Sequence, residues 1–411
     1  MASSVFTILL HFLPQNSKGV EVARAHGEYY FYCWSIHKIG VLQRDDNYLF
    51  WKTLNMSADP VEINIAIRPQ QRYELIDVTQ RVREEAGDVL SDFRKTAYCS
   101  LHTTAGYLEQ GACRRLGQTH KQLDPFIRAV QKIFPHDAGY YHDRMQLRDE
   151  LSESQKEREP VNADSHLTFM SAGLKNCVTY INRPDESVYF VELDGVYKQH
   201  VRQRRTTVIG YNQAEVVHRD RIAVPVDEGR TIDSFNLKDD RYGLFSELEG
   251  WLQRYGVDKG RFDLRLVPED RHVGLTVNEY ETLLMRNDLP QALRDPLRYM
   301  VQRGKKLLRH PSVIPGKTRD YAAYDLIHLY NDLMDNVPVG RSVIDRFLSV
   351  LSSPAKRILR LKRHVSLLVS DSAETGTSRI VQGQYQSPIL VQHHPATNGV
   401  RHLDVTLRRF A

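Results

Sequence analysis

AYCSLHTTAGYLEQGA (Ala97–Ala112) and LRLVPEDRHVGLTVNEYETLL (Leu264–Leu284) read as two divergent copies of one strand, turn and helix. The correspondence extends outward. IDVTQRVREEAG precedes the first stretch and LFSELEGWLQRYG the second; LDPFIRAVQKIF and LRDPLRYMVQRG follow them. Each half closes on strand-like segments, VYFVELDGVYKQHVRQRRTTVIGY in the first and SRIVQGQYQSPILVQ with VRHLDVTLRRF in the second. A period this long predicts domain duplication rather than a solenoid.

The 411 residues, 41% of them hydrophobic, suffice for two domains with cores of their own. The 56 Lys and Arg nearly balance 51 Asp and Glu, for a formal charge of +5. Such a balance favours small anionic ligands over an obligate nucleic-acid partner. Cys33, Cys99, Cys113 and Cys177 show no CxxC spacing, so neither a thiolate zinc site nor a disulfide framework is expected. VFTILLHFL near the N-terminus is short and lacks a basic leader, and no run approaches the ~20 apolar residues of a membrane span. The expectation is a cytoplasmic chain with no membrane partner.

Residues 1–59 show no clean period and are read as an N-terminal extension without assigned chemistry. The first copy is placed at 60–211. VEINIAI is its edge strand, IDVTQRVREEAGDVL a helix, TAYCSLH a strand, and QLRDELSESQKEREPVNAD an exposed connection. Residues 212–232 are read as a linker and 233–411 as the second copy. A helical insertion at about 301–363 is marked by three- and four-residue apolar spacing in DYAAYDLIHLYNDLMDNV.

His102-Thr103-Thr104-Ala105, Tyr141-His142-Asp143 and Ser165-His166-Leu167 in the first copy, with Asn278-Glu279 and Gly383-Gln384-Tyr385-Gln386 in the second, make the chain similar to the YjbQ-like proteins, also called secondary thiamine-phosphate synthases. The resemblance implies an α+β fold of tandem domains with β-sandwich cores and flanking helices. It also implies sites near subunit boundaries of a trimer, a small phosphorylated substrate and a possible homo-oligomer. Departures are specific. Glu109 stands without its Asn, Thr168 replaces a common lysine, Glu192-Leu193-Asp194 replaces Thr-Trp-Gln, and Asp270 stands where the second copy would carry the strand-end His. The first copy keeps the histidines and the second keeps the Asn-Glu pair, so one composite site is expected at the seam.

Three histidines on separate loops, His102, His142 and His166, form a ligand set suited to zinc or a similar divalent ion such as magnesium, with Asp143 as an orienting acceptor. The same imidazoles serve equally as acid/base groups or phosphate partners. Lys175, Arg202 and Arg204 are candidate phosphate contacts. Glu279 is the expected general base or ligand and Asn278 its positioner, although Asn278 and Glu281 also fit a helix start. Thr103, Tyr385 and Gln386 complete the expected substrate contacts.

KRILRLKRH (Lys356–His364) is the densest basic run, and it suits an amphipathic helix end as well as a nucleic-acid contact. Walker, GxGxxG, GxSxG and HExxH patterns are absent, which argues against P-loop, Rossmann, α/β-hydrolase and zincin chemistry. Two functions stay open: an enzyme of thiamine-phosphate-synthase type, and a non-catalytic ligand-binding or scaffold protein.

Overall fold

The computed structural model describes residues 20–25, 28–33, 38–45, 48–54, 59–183, 185–227, 229, 231–295, 298–299, 302, 361–371, 378–396 and 398–411. The expected helical insertion therefore falls almost wholly outside the described residues. The chain divides into two units, Met1–Asp59 and Pro60–Ala411. In the first unit, β1 (Val20–Ala25), β2 (Glu28–Cys33), β3 (Lys38–Asp45) and β4 (Tyr48–Leu54) pair in sequence as an antiparallel meander.

In the second unit β5 (Val61–Ile67) runs along the edge of a four-stranded sheet, as VEINIAI predicts. β6 (Glu74–Asp77) leads directly into α1 (Val78–Ala86), where the Asp77 carboxylate accepts from the Gln80 amide and caps the first turn. β7 (Lys95–Ser100) and β8 (Ala105–Gly106) flank the turn bearing His102, and α2 (Gln110–Leu116) and α3 (His120–Ile133) follow. The expected exposed connection holds only the short α4 (Glu153–Lys156) before α5 (Ala163–Ala172). Strands β9 (Cys177–Ile181), β10 (Tyr189–Glu192), β11 (Val196–Tyr197), β12 (His200–Val201) and β13 (Arg204–Tyr211) close this half.

The second half begins at β14 (Ala214–Pro225), which corrects the reading of 212–232 as a linker. β14 pairs along its length with the last strand, with one register shift near Val217. Its sequence AEVVHRDRIAVP hides the strand because most of its residues face solvent from a sheet edge, where charge also blunts edge-to-edge association. β15 (Asp233–Asn236), α6 (Leu244–Tyr255), β16 (Gly260–Leu266), β17 (Val273–Asn278) and α7 (Leu289–Arg294) follow. The last strands are β18 (His364–Ser370), β19 (Arg379–Val381), β20 (Ser387–Gln392) and β21 (Val400–Phe410).

Strand order repeats between the halves. The first has sheets β5-β13-β7-β9 and β6-β10-β8; the second has β14-β21-β16-β18, extended by β19, and β15-β20-β17. Isolated bridges match as well: Tyr107 with Lys175 in the first half, Leu275 with Lys362 in the second. One apolar core is built mainly from the first half but takes in Leu284, Met285, Leu289, Leu293, Ile389 and Val391 of the second, and another lies within the second half. A third cluster joins Ala97, Cys99, Cys177, Ile209 and Tyr211 to Leu368 and Phe410, so the large sheets pack face to face. There the Tyr211 and Phe410 rings stack with centroids 3.9 Å apart and planes within 4°. Only Asn212 and Gln213 separate β13 from β14, and both amides donate to the Ala411 carbonyl.

Candidate active site

α5 is buried along its whole length, consistent with ADSHLTFMSA, which offers no polar face. Its N-terminus is satisfied from a distance: Asp143 Oδ1 accepts from the Ala163 amide at 3.0 Å. That leaves the Asn162 side chain free to bridge His142 and Asp194. The helix carries His166 into the seam, and the loop before α4 brings His142. From the second half, β17 ends at Asn278, so Glu279 and Glu281 follow at the same seam. Glu281 caps the next helical turn, accepting from the Leu283 and Leu284 amides at 2.6 and 2.7 Å. Asp288 accepts from the Tyr141 and His142 amides and fixes that loop.

The two imidazoles are held in opposite charge states. His142 Nδ1 lies 2.7 Å from Glu281 Oε2, and its Nε2 lies 3.1 Å from Asn162 Oδ1. Asn162 donates its amide hydrogen to Asp194, so its oxygen faces the ring and both ring nitrogens donate. Burial alone would lower the His142 pKa, but the Glu281 bond and the Glu279 charge more than offset it and hold the pKa above the usual value. Burial likewise works against ionised Glu281, and the His142 and backbone hydrogen bonds reverse this and lower its pKa.

His166 is the opposite case. Burial and the neighbouring His142 charge lower its pKa to about 3. Its Nδ1 lies 2.6 Å from Asn278 Oδ1, which also accepts from the Glu279 amide at 2.8 Å. The tautomer is thereby set: Nδ1 carries the proton and Nε2 presents a lone pair. Nε2 is buried without a hydrogen bond, 3.5 Å from Glu279 Oε2. Burial raises the Glu279 pKa, against the lowering effect of His142 and Arg148. The two histidine rings meet edge-on at 5.3 Å.

Arg148, its side chain 3% exposed, spans Glu150 at 2.6 Å, Glu159 at 3.8 Å and Glu279 at 3.8 Å. Arg202 pairs with Asp194 at 3.0 Å. Around this constellation His166 Nε2, Asn278 Nδ2, Arg148 Nη1, Arg202 Nε, Asp143 Oδ2 and Asp194 Oδ1 are buried without hydrogen bonds. Folded chains pair most such groups, and their concentration here marks a place built to receive polar atoms.

The seam gathers His142, His166, Asn278 and Glu279 as expected, but not the full histidine trio. His102 Nε2 accepts from the Arg205 amide at 2.8 Å and its Nδ1 lies 3.4 Å from Arg204. Burial, with Arg204, Arg205 and Arg202 nearby, lowers its pKa to about 3. A ring facing guanidinium groups does not suit a cation, and both His142 nitrogens are already engaged, so the three histidines do not fit one metal ion. Among the described residues no three His, Cys, Asp or Glu side chains are arranged to hold one.

Other expected contacts lie outside this constellation. Gln386 Nε2 donates to the Ser100 and His102 carbonyls, clamping the second half onto the end of β7. Tyr385 is 63% exposed in the turn before β20. Thr103 lies in the β7–β8 turn, where Thr104 takes the bond from Arg204. Arg204 forms a two-pronged pair with Glu192, and Lys175 reaches Glu109 and His364. Arg148, Asn162, Asp194, Glu281 and Asp288 were not anticipated as a constellation. The available signal was their proximity in sequence to the landmark histidines and to Glu279.

No protein-family model matches the chain, and no curated protein matches it. Among solved structures it is similar to a YbjQ-like protein of unknown function from Sulfolobus solfataricus P2, with 15% identity over 48% of this chain and 99% of that one, at a TM-score of 0.24. A hypothetical protein from Aeropyrum pernix K1 is 15% identical over 46% of this chain and 98% of that one, at a TM-score of 0.24. An uncharacterized conserved protein of the yjbq/upf0047 family from Clostridium acetobutylicum is 9% identical over 46% and 98%, at a TM-score of 0.22. Each spans under half of this chain. No described helix is long and apolar enough to cross a membrane.

Proposed function

We propose that the chain is an enzyme built from two divergent YjbQ-like copies, working by proton transfer on a small anionic, phosphorylated molecule at the seam between them. The repeated strand order and the matched Lys175 and Lys362 bridges support the tandem reading. One observation carries the catalytic reading: His166 Nε2 is a buried, unpaired lone pair whose tautomer is set by Asn278 and which faces Glu279. Neighbouring groups with pKa values driven apart are the usual signature of assigned acid and base roles.

In this reading His166 takes a proton through Nε2, and Glu279 relays it toward its partly exposed side. Charged His142 and the Arg148 guanidinium favour negative charge developing nearby. Neither role calls for a metal ion at the three histidines.

The first reaction to assay is the one the resemblance implies, joining a pyrimidine pyrophosphate to a thiazole phosphate with release of pyrophosphate. Purified chain with Mg²⁺ is expected to form thiamine phosphate as the thiazole nitrogen bonds the pyrimidine methylene carbon and the carbon–oxygen bond to pyrophosphate breaks; that displacement takes no proton from substrate, so the loss of about 10²–10⁴-fold in His166→Asn is expected for a phosphorylated substrate that gives up a proton. Absence of product removes that named reaction. A panel of phosphorylated metabolites bound equally by the unaltered chain and by His166→Asn, with no turnover, replaces the enzyme by a non-catalytic binding protein.

A further inference from the structure

Cys99 of β7 and Cys177 of β9 stand directly opposite each other in the first half's large sheet, both buried. The bonds around them set the kind of pair they form. The Ser100 amide donates to the Asn176 carbonyl at 2.8 Å, and at the other end of the ladder the Asn182 amide donates to the Arg94 carbonyl at 2.9 Å. Hydrogen-bonded pairs alternate with non-hydrogen-bonded ones along an antiparallel ladder, so Cys99, next to Ser100, belongs to a non-hydrogen-bonded pair. Such partners have Cα atoms about 4.5 Å apart, within the ~4.4–6.8 Å that disulfides span. The thiols already touch. Their mutual hydrogen bond is the first cause that pushes the Cys99 thiol well above its usual pKa, and burial is the second. Cys113 is held elsewhere, 3.2 Å from the Tyr180 hydroxyl.

The pair lies where the two large sheets pack, and it is reached from one end. A cavity of about 10 Å³ is lined by Lys175, Asn176 and Cys177 of the first half and by Thr276, Lys362 and Ser366 of the second. That is room for about one molecule of water's size. Of the two cysteines, Cys177 lines it. Asn176 is 4% exposed, and its Oδ1 accepts no hydrogen bond while its Nδ2 donates to the His102 carbonyl at 2.6 Å. The cavity therefore offers a small polar molecule an acceptor, two lysines and a sulfur.

We infer that Cys177 and Cys99 are a peroxide-oxidised dithiol, in which Cys177 meets the oxidant and Cys99 completes the disulfide. Hydrogen peroxide, one oxygen larger than water, is the oxidant that comes nearest the cavity in size. Lys175 and Lys362 favour the thiolate of Cys177, which is the nucleophile. It attacks one peroxide oxygen and the O–O bond breaks. The departing hydroxide takes up the proton that Cys177 released and becomes water, leaving a sulfenic acid on Cys177. The Cys99 sulfur then attacks the sulfenic sulfur, and its proton goes to the hydroxyl that leaves as a second water. Two thiols are oxidised to one disulfide and one peroxide is reduced to two waters. A thiol of raised pKa is a poor first nucleophile, which suits Cys99 to the second step. The link is single and reversible, and it ties the strand that runs into the His102 turn to the strand that follows α5.

The reduced full chain is treated with hydrogen peroxide at neutral pH without denaturant, quenched, unfolded and alkylated, and its thiols are located by mass spectrometry. Cys99 and Cys177 are expected to escape alkylation together, with their peptides joined and Cys113 still alkylated. In Cys99→Ala, dimedone is expected to trap Cys177 as a sulfenic acid, and labelling of Cys99 in Cys177→Ala to be at least about tenfold weaker. Oxidised glutathione, too large for the cavity, is expected to link the native pair at least about tenfold more slowly than peroxide. The mapping on the unaltered chain needs no variant to fold. No link in the native chain, or a link to Cys113 instead, overturns the inference. So does stronger dimedone labelling of Cys99 than of Cys177 in the two variants, or glutathione linking the pair as fast as peroxide.

Discussion

His166 and Asn278 meet at 2.6 Å across the seam, one from a helix of the first half and the other from the end of a strand of the second. The bond satisfies a buried ring nitrogen and fixes which nitrogen of His166 can act as a base. Nitrogen-detected NMR of labelled protein is expected to show His166 neutral, with the proton on Nδ1, throughout pH 5–8. Its pKa of about 3 lies below that window. His142 is expected to stay charged through the usual histidine midpoint and to lose its proton only at higher pH. Matching titrations near pH 6.5 for both rings would refute the division of charge.

Breaking the buried His142–Glu281 pair leaves an imidazolium without its carboxylate. Glu281→Gln is expected to cost about 3–5 kcal/mol, read from chemical denaturation at neutral pH. A loss under about 1 kcal/mol would mean that His142 had given up its proton instead, and the His142 titration would reveal it.

Acid should destabilise the fold through His166. Its folded pKa is depressed to about 3 against an unfolded value near 6.5, so below pH 6.5 the unfolded chain binds a proton that the folded chain refuses. Stability from this group is full above pH 6.5 and falls as the pH drops toward 3, by roughly 3 kcal/mol at pH 4. His142 has the opposite sign: its contribution is complete below the unfolded pKa and is lost as the pH rises through its raised folded value. The stability gap between His166→Asn and the unaltered chain should therefore change with pH between 6.5 and 4. A gap that does not vary with pH would contradict the sign.

Gly383 sits against the first half so closely that a Cβ would lie 1.8 Å from the Leu101 carbonyl oxygen. Gly383→Ala must push backbone away and strain the Gln386 clamp beside it. A loss of about 1–3 kcal/mol in denaturation is expected. A neutral substitution would show that this approach does not hold the seam.

Much of the second unit was legible because alternation and turn signals are present in both halves, so the stretches at Ala97 and Leu264 map onto β7 and β16 with the elements around them. β14 was not legible. An edge strand that faces water lacks the alternation that a strand with one buried face shows. At the site, the resemblance to YjbQ-like landmarks pointed to His142, His166, Asn278 and Glu279, but it could not say where ring nitrogens point. His102 is turned onto the Arg205 amide, and Gln386 is consumed by the two carbonyls it clamps. Arg148 was lost in a charged run that reads as solvated; Glu150, Glu159 and Glu279 around it make its burial possible.

The two-residue passage from β13 to β14, tied by both amides to Ala411, leaves no slack between the halves. Tyr211 stacked on Phe410 beside it packs the same passage. Under the function proposed above, the segment carrying Glu150 and Glu159, which reaches from solvent to buried Arg148, is where a ligand bound for the seam would first meet the protein.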